Sequence, residues 1–360
     1  MRQFAFIIHS LDIGGIGIAF NEPKLINIKP TLVKKALEWL PSFTCAEVTG
    51  IKSSQNLALK GHLIYCALLA EQMISLDGEF VLNRVISAAK IAQDLGADIL
   101  GLGAYAAQIG RKGVAVAKAV KIPVTTGTHY TIHIAIESVL QAADKVGLDI
   151  SKANIAIIGA TGGIGQVCAK LFSEKAAALT LVARNKSRLD SLKEQLQGSS
   201  KTKIIIEDDI KKAIRDSNIA IMSTTTPYPL IDVDELEPGA LICDISRPRN
   251  VSQKRISFRK DVLVIDGGIV MPPGEPNFNF YIGIPAGLAY ACLAETMILA
   301  LEEKYESFSL GGKLSTTKVK EIAELGKKHG FNLAEIRSFD TVVPDEIFNN
   351  IKKINAKRKK

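Results

Sequence analysis

The sequence predicts an α/β fold: a doubly wound parallel sheet at the centre, an α/β domain before it and a helical segment after it. Three observations carry this. Strand and helix patterns alternate regularly from Asn154 onward, a glycine-rich turn joins the first of those strands to its helix, and the composition is aliphatic, with 47% hydrophobic, 23% charged and 6% aromatic residues. A chain of 360 residues exceeds one comfortable core. The pattern divides it into an N-terminal α/β substrate domain (1–150), a dinucleotide-binding domain (151–270) and a helical C-terminal region (271–360).

At the N-terminus, the apolar run to Ile8 reads as a first strand, interrupted by His9 and too short for a signal peptide core. Strand-like runs at Phe4–Ile8, Cys45–Val48 and Leu59–Tyr65 mix with helical stretches at Thr31–Leu40 and Phe80–Leu95. In the central region, strands are expected at Ile155–Ile158, Leu179–Val182, Lys203–Ile206, Ile219–Met222, Leu241–Asp244 and Val262–Ile265. Helices are expected at Gly163–Ser173 and Lys186–Gln197. The breaker-rich Met271–Pro276 reads as a linker. Beyond it come a long apolar helix near Gly287–Tyr305, a Gly311-Gly312 loop and a helix at Thr316–His329. Pro285 and Glu295 interrupt the Tyr281–Leu301 stretch and argue against a membrane span.

The turn Gly159-Ala160-Thr161-Gly162-Gly163-Ile164-Gly165 follows an apolar strand and opens a helix, the context of a Rossmann pyrophosphate site. Glycine lets the backbone approach the phosphates, and the helix N-terminus supplies N–H groups and positive potential. An NAD-specific domain places Asp or Glu at the end of the second strand. Here stand Arg184, Asn185 and Arg188, whose guanidinium forks suit a 2′-phosphate, so NADPH is the expected cofactor. Ser223 and Thr224, after the fourth strand, are expected to contact the ribose or nicotinamide.

The five cysteines are widely spaced, with no zinc pattern, and suit a reduced cytoplasm. Cys45, Cys66, Cys168 and Cys243 read as small buried hydrophobes. Cys292, on a helix beyond the cofactor domain, reads either as another or as a nucleophile. The net charge of +8 comes mostly from Lys352, Lys353, Lys357, Arg358, Lys359 and Lys360, which removes the nucleic-acid reading. That tail reads as a solvated, frayed end, with peripheral contact to an anionic membrane surface or an acidic partner as the sharper alternative. A basic stretch at Arg247, Arg249, Lys254, Arg255, Arg259 and Lys260 reads as a docking face for an acidic carrier or as a solvated face.

The segments Val124–Gly127, Gly159–Gly162, Ala183–Asn185, Asp266–Val270 and Ala291–Glu295, in this order and spacing, resemble the long-chain acyl-[acyl-carrier-protein] reductases of cyanobacterial type, as a divergent member. The resemblance implies NADPH-dependent reduction of a fatty acyl thioester, carried by acyl carrier protein or coenzyme A, to a fatty aldehyde through an acyl-cysteine. Cys292 falls on the family's nucleophile. The family's histidine after the Thr-Thr-Gly turn falls on Tyr130, with His129 just before it, so either takes that place; His133 follows on the same helical face. Glu295 has a family counterpart and no evident mechanism. Apolar residues of Gly287–Leu301 are expected to line an acyl pocket. Two other readings remain: a shikimate/quinate dehydrogenase-like alcohol oxidoreductase, and a non-catalytic NADPH-binding module.

Overall fold

The computed structural model describes residues 2–226 and 228–358. The chain begins with β1 (Arg2–Ile8), α1 (Ile13–Ala19) and α2 (Pro30–Trp39), then β2 (Phe43–Lys52), β3 (Ala58–Tyr65), α3 (Ala70–Ser75), α4 (Gly78–Asp94) and β4 (Ile99–Leu102). After the short turns α5 (Ile109–Lys112) and α6 (Val114–Ala119) come β5 (Val124–Thr125) and α7 (Thr128–Lys145). The central segment is β6 (Asn154–Ile158), α8 (Gly163–Ser173), β7 (Ala178–Val182), α9 (Lys186–Gln197), β8 (Lys203–Ile206), α10 (Ile210–Arg215), β9 (Ile219–Met222), β10 (Leu241–Asp244) and β11 (Leu263–Asp266). Then follow β12 (Ile269–Met271), β13 (Gly274–Asn277), β14 (Ala289–Tyr290), α11 (Ala291–Leu301), α12 (Thr316–His329) and α13 (Asp345–Arg358).

These elements form two compact units. The first holds residues up to Thr131 together with Ile269–Lys313 and Thr317–Ala334. Its sheet runs β13-β2-β3-β1-β4-β5. The β3, β1, β4 and β5 strands are mutually parallel, while β2 pairs antiparallel with β3. Alternation along β1 sends Ala5 and Ile7 into a core with Val81, Val85, Ala88 and Ala92 of α4. The α11 helix packs on β1, β3 and β4, and every side chain from Leu293 to Leu301 is buried. A helix apolar all round is one enclosed by protein.

The second unit, Ile132–Gly268 with Leu314–Thr316 and the chain from Glu335 on, holds the six-stranded sheet β11-β10-β9-β6-β7-β8. All its pairings are parallel, and the order is that of a doubly wound Rossmann sheet, reversing between β6 and β9. Apart from the edge strand β8, its strands are short, mainly aliphatic runs buried on both faces, as parallel sheets require. Predicted strands and helices of this unit agree with the structure to within a residue or two at their ends.

Three expectations are corrected. Met271–Pro276 is not a linker: Met271 closes β12, and β13 pairs antiparallel with β2, Gly274 opposite Ile51 and Asn277 opposite Thr49. Pro276 is tolerated because β13 is the edge strand and a missing donor there costs no ladder bond. The long apolar helix is shorter at both ends than Gly287–Tyr305, because Ala289–Tyr290 pairs with β12 before the helix starts, and Glu303 turns to φ +56° after it. The tail is not frayed as far as Arg358. The α13 helix buries Ile351 and Phe348, and Asn355 donates to the Val146 carbonyl. Lys359 and Lys360 lie outside the described residues, as does Met1 of the first strand. No helix among the described residues is long and apolar enough to cross a membrane.

Candidate active site

In the second unit, the Gly159–Gly165 turn sits at the carboxyl end of β6, where the strand order reverses and open α/β sheets bind ligands. Gly159 has φ +88°, and a Cβ there would meet the Ser223 carbonyl oxygen at 2.8 Å. A Cβ on Gly165 would meet the Gly159 oxygen at 2.3 Å, so the helix packs on its own turn only with glycine there. Gly159 and Ala160 both donate to the Val182 carbonyl, at 2.9 and 3.0 Å, and Thr161 holds the Gln166 amide on its carbonyl. Gly162 is the N-cap of α8 and no side chain caps that end, leaving the first-turn N–H groups of Gly163, Ile164 and Gly165 for a ligand. A pyrophosphate fits this cradle.

Arg184 and Arg188 are exposed after β7, with no ion pair among the described residues. Asn185 is committed to local order: its Oδ1 caps α9, accepting from Arg188 N (3.0 Å) and Ser187 Oγ (2.9 Å). Ser223 Oγ donates to the Ile158 carbonyl (2.9 Å), tying β9 to β6. Thr224 Oγ1 donates to Asn250 Oδ1 (2.6 Å). Asn250 belongs to the loop after β10 that was read from sequence only for its basic residues. The buried Asp244 organises that loop by accepting from Ser246, Asn250 and Val251 backbone N–H groups, while burial pushes its pKa upward.

The basic stretch is largely neutralised. Arg247 and Arg249 pair with Asp266 at 3.1 and 3.0 Å, and Arg249 also reaches Asp340 at 2.6 Å. Arg255 pairs with Asp234, Arg259 with Asp261 and Lys260 with Glu346. A docking face for an acidic carrier needs unpaired cations, so that expectation is withdrawn for this stretch.

In the first unit, Cys292 lies in the first turn of α11, half-buried, at the carboxyl edge of the parallel strands. Gly127, just after β5, has φ +69° and packs directly on it: a Cβ there would stand 2.2 Å from Cys292 Cα. Burial, reinforced by the Glu295 charge, raises the Cys292 pKa to about 11, against the pull of the Leu293, Ala104 and Cys292 backbone N–H groups toward the thiolate. The resting group is a thiol. Alkylation of Cys292 by iodoacetamide is therefore expected to rise about tenfold per pH unit from pH 7 to pH 10, with no plateau. A plateau below pH 9 in mass-resolved kinetics would contradict this environment.

Glu295 has a structural task. Fully buried, it accepts from Thr125 Oγ1 through Oε1 (2.6 Å) and from Tyr130 N through Oε2 (2.9 Å), fastening the β5–α7 turn to α11. His129 and Tyr130 turn their side chains elsewhere. His129 Nδ1 lies 2.5 Å from Ser309 Oγ, its ring packs edge-on to Phe308, and burial lowers its pKa to about 4. Tyr130 is buried with its ring against Gly326 of α12, and burial raises its pKa. The α11 side chains expected to line an acyl pocket are spent on the sheet.

One residue escaped sequence reasoning. His9 ends β1, which has β3 on one side and β4 on the other, so it stands where this strand order reverses. Its Nε2 accepts from Tyr105 N (3.0 Å), which places the ring proton on Nδ1 facing the Ser10 carbonyl (3.1 Å). His9 thus pins the residue following Ala104, whose own N–H serves Cys292. The available signal was position: a polar side chain directly after a buried parallel strand.

The shikimate / quinate 5-dehydrogenase family matches residues 141–266, the cofactor unit alone. The chain is similar to aminotransferase PigE of a Serratia species, at 28% identity over 87% of this chain, but spans only 37% of that protein's length. It is 27% identical to a long-chain acyl-[acyl-carrier-protein] reductase of Synechococcus elongatus, over 79% of this chain and 85% of that protein. A glutamyl-tRNA reductase of Acaryochloris marina is 29% identical over 47% of this chain and 40% of its own length. The chain carries a Rossmann-type dinucleotide-binding unit similar to that of the dehydrogenase family. That family match ends at Asp266 and leaves the unit that holds Cys292 outside it.

Proposed function

We propose that the protein reduces a fatty acyl thioester, carried by acyl carrier protein or coenzyme A, to a fatty aldehyde with NADPH, through an acyl group on Cys292. The observation that carries this is the placement of Cys292 at a helix N-terminus and a sheet's carboxyl edge, with the backbone N–H groups of Leu293, Ala104 and Cys292 itself favouring its thiolate. The acyl-[acyl-carrier-protein] reductase and the glutamyl-tRNA reductase are both named for activated acyl substrates, which supports a shared acyl chemistry.

Cys292 loses its proton and attacks the thioester carbon, and the carrier leaves as a thiol that takes up that proton. The Ala104 and Leu293 amides stabilise the thiolate on the way. NADPH, when bound, supplies a hydride to the acyl carbon. The carbon–sulfur bond to Cys292 then breaks, releasing the aldehyde and returning the cysteine as thiolate, which a proton from solvent restores to the thiol. The protein's part is to hold the cofactor on the Gly159–Gly165 turn and its 2′-phosphate on Arg184 and Arg188, with Ser223 and Thr224 shaping the strand ends beside it. His9, His129 and Tyr130 act as positioning residues for the strand-end loops.

Incubating the protein with palmitoyl-CoA or palmitoyl carrier protein, without NADPH, is expected to add one acyl mass on the peptide containing Cys292. An unmodified Cys292 in an enzyme that still turns over these substrates would overturn the mechanism. Arg184→Ala is expected to raise the KM for NADPH about ten- to a hundredfold and to leave that for NADH within about threefold. Equal loss with both cofactors would remove Arg184 from the 2′-phosphate.

A further inference from the structure

The chain from Ile18 to Leu40 leaves much apolar side chain in water. Trp39 is 81% exposed, Ile26 66%, Ile18 63% and Leu32 59%, with Ile28 and Leu40 also exposed. Single exposed apolar residues need no explanation, but so many in one short segment mark an interaction site. The register of α2 sharpens this. Val33 and Leu37, one turn apart, are buried and dock the helix. Leu32, Ala36 and Trp39 form a second stripe, about a third of a turn away, that faces no protein.

Cations border this apolar surface. Lys24, Lys29 and Lys35 are exposed and have no ion pair among the described residues. Lys34 is held by Glu71 (2.7 Å). Glu38 accepts from the neutral Gln72 amide and Glu22 is exposed, so the three unpaired lysines stand against two carboxylates and the segment keeps a positive excess. A helix with a Trp- and Leu-bearing face beside lysines lies in the interface of an anionic bilayer. A symmetric contact with a second copy would set the same lysines against each other.

We infer that the Ile18–Leu40 segment seats the protein on an anionic lipid surface, with Leu32, Trp39 and Ile26 entering the headgroup boundary and Lys24, Lys29 and Lys35 meeting lipid phosphates. This surface belongs to the first unit and owes nothing to the reductase chemistry. Trp39 is the chain's single tryptophan, so its fluorescence reports on this face alone.

The test uses the full chain with vesicles of phosphatidylcholine alone or mixed with phosphatidylglycerol. A blue shift of Trp39 emission and co-sedimentation are expected with the anionic vesicles, weakening as salt rises. The exposed double variant Ile26→Asn/Leu32→Asn is expected to lower vesicle partitioning about tenfold or more. Lys24→Glu/Lys29→Glu/Lys35→Glu should remove the preference for anionic lipid, with far-UV circular dichroism unchanged in both. Three results would overturn the inference: no blue shift on anionic vesicles, full binding by both folded variants, or a blue shift that follows protein concentration without lipid. The last would assign the face to a second copy.

Discussion

Cys292→Ala is expected to lower acyl-thioester reduction by roughly a thousandfold or more, while NADPH affinity and melting temperature change little. In the proposed mechanism the hydride goes to an acyl group held on a cysteine, and no other cysteine is placed to hold it. Cys66, Cys168 and Cys243 are buried in the two cores, and burial raises the pKa of Cys45 and Cys168 to about 12. The structural effect is small because Cys292 is half-buried and loses one sulfur atom at the start of a helix whose remaining side chains keep their packing. Stopped acyl transfer with intact cofactor binding is therefore the signature. Cys292→Ala that keeps more than about a tenth of the wild-type rate would require a mechanism without an acyl-enzyme. Cys292→Ser tests the same step more finely, since an alkoxide is far harder to form than a thiolate.

The two units were legible in the sequence to different degrees, for physical reasons. The Rossmann unit announces itself because each of its parts has a local signature: Ile155–Ile158 is a continuous aliphatic run, Gly159 and Gly165 are dictated by backbone contacts only glycine allows, and Asn185 caps the helix it precedes. Local and global preferences agree there. The first unit depends on long-range pairing that no local pattern encodes. Gly274–Asn277 reads as a breaker because Pro276 cannot sit inside a sheet, and its partner in β2 lies more than two hundred residues earlier. The Arg247–Lys260 stretch reads as a cationic face because Asp266, Asp340, Asp234 and Glu346 are brought to it only by folding. Cys292 was singled out by resemblance, whereas the Ala104 and Gly127 backbone around it, supplied by two separate strand ends, could be seen only in three dimensions. His9 was missed for the same reason.

Glu295→Ala and Glu295→Gln should separate two roles of one buried carboxylate. In Glu295→Ala, the Thr125 hydroxyl and the Tyr130 N–H lose their acceptor in a fully buried place, and a loss of about 3–5 kcal/mol in unfolding free energy is expected. Glu295→Gln keeps the shape and one acceptor oxygen, so its cost should be about 1–2 kcal/mol. The pH dependence distinguishes them further. Burial raises the Glu295 pKa above 4.5 against the pull of its hydrogen bonds, so the folded state holds this proton more tightly than the unfolded chain. Its contribution to stability is then full below the unfolded pKa and falls as pH rises through the raised folded value. Chemical denaturation of wild type across that window should show the decline, and Glu295→Gln, which cannot ionise, should flatten it. Glu295 also raises the Cys292 pKa by its charge, so Glu295→Gln should alkylate faster than wild type at neutral pH. If Glu295→Gln is slower in alkylation while its fold is intact, the carboxylate assists the thiol instead of opposing it, and Glu295 would move from scaffold to catalytic base.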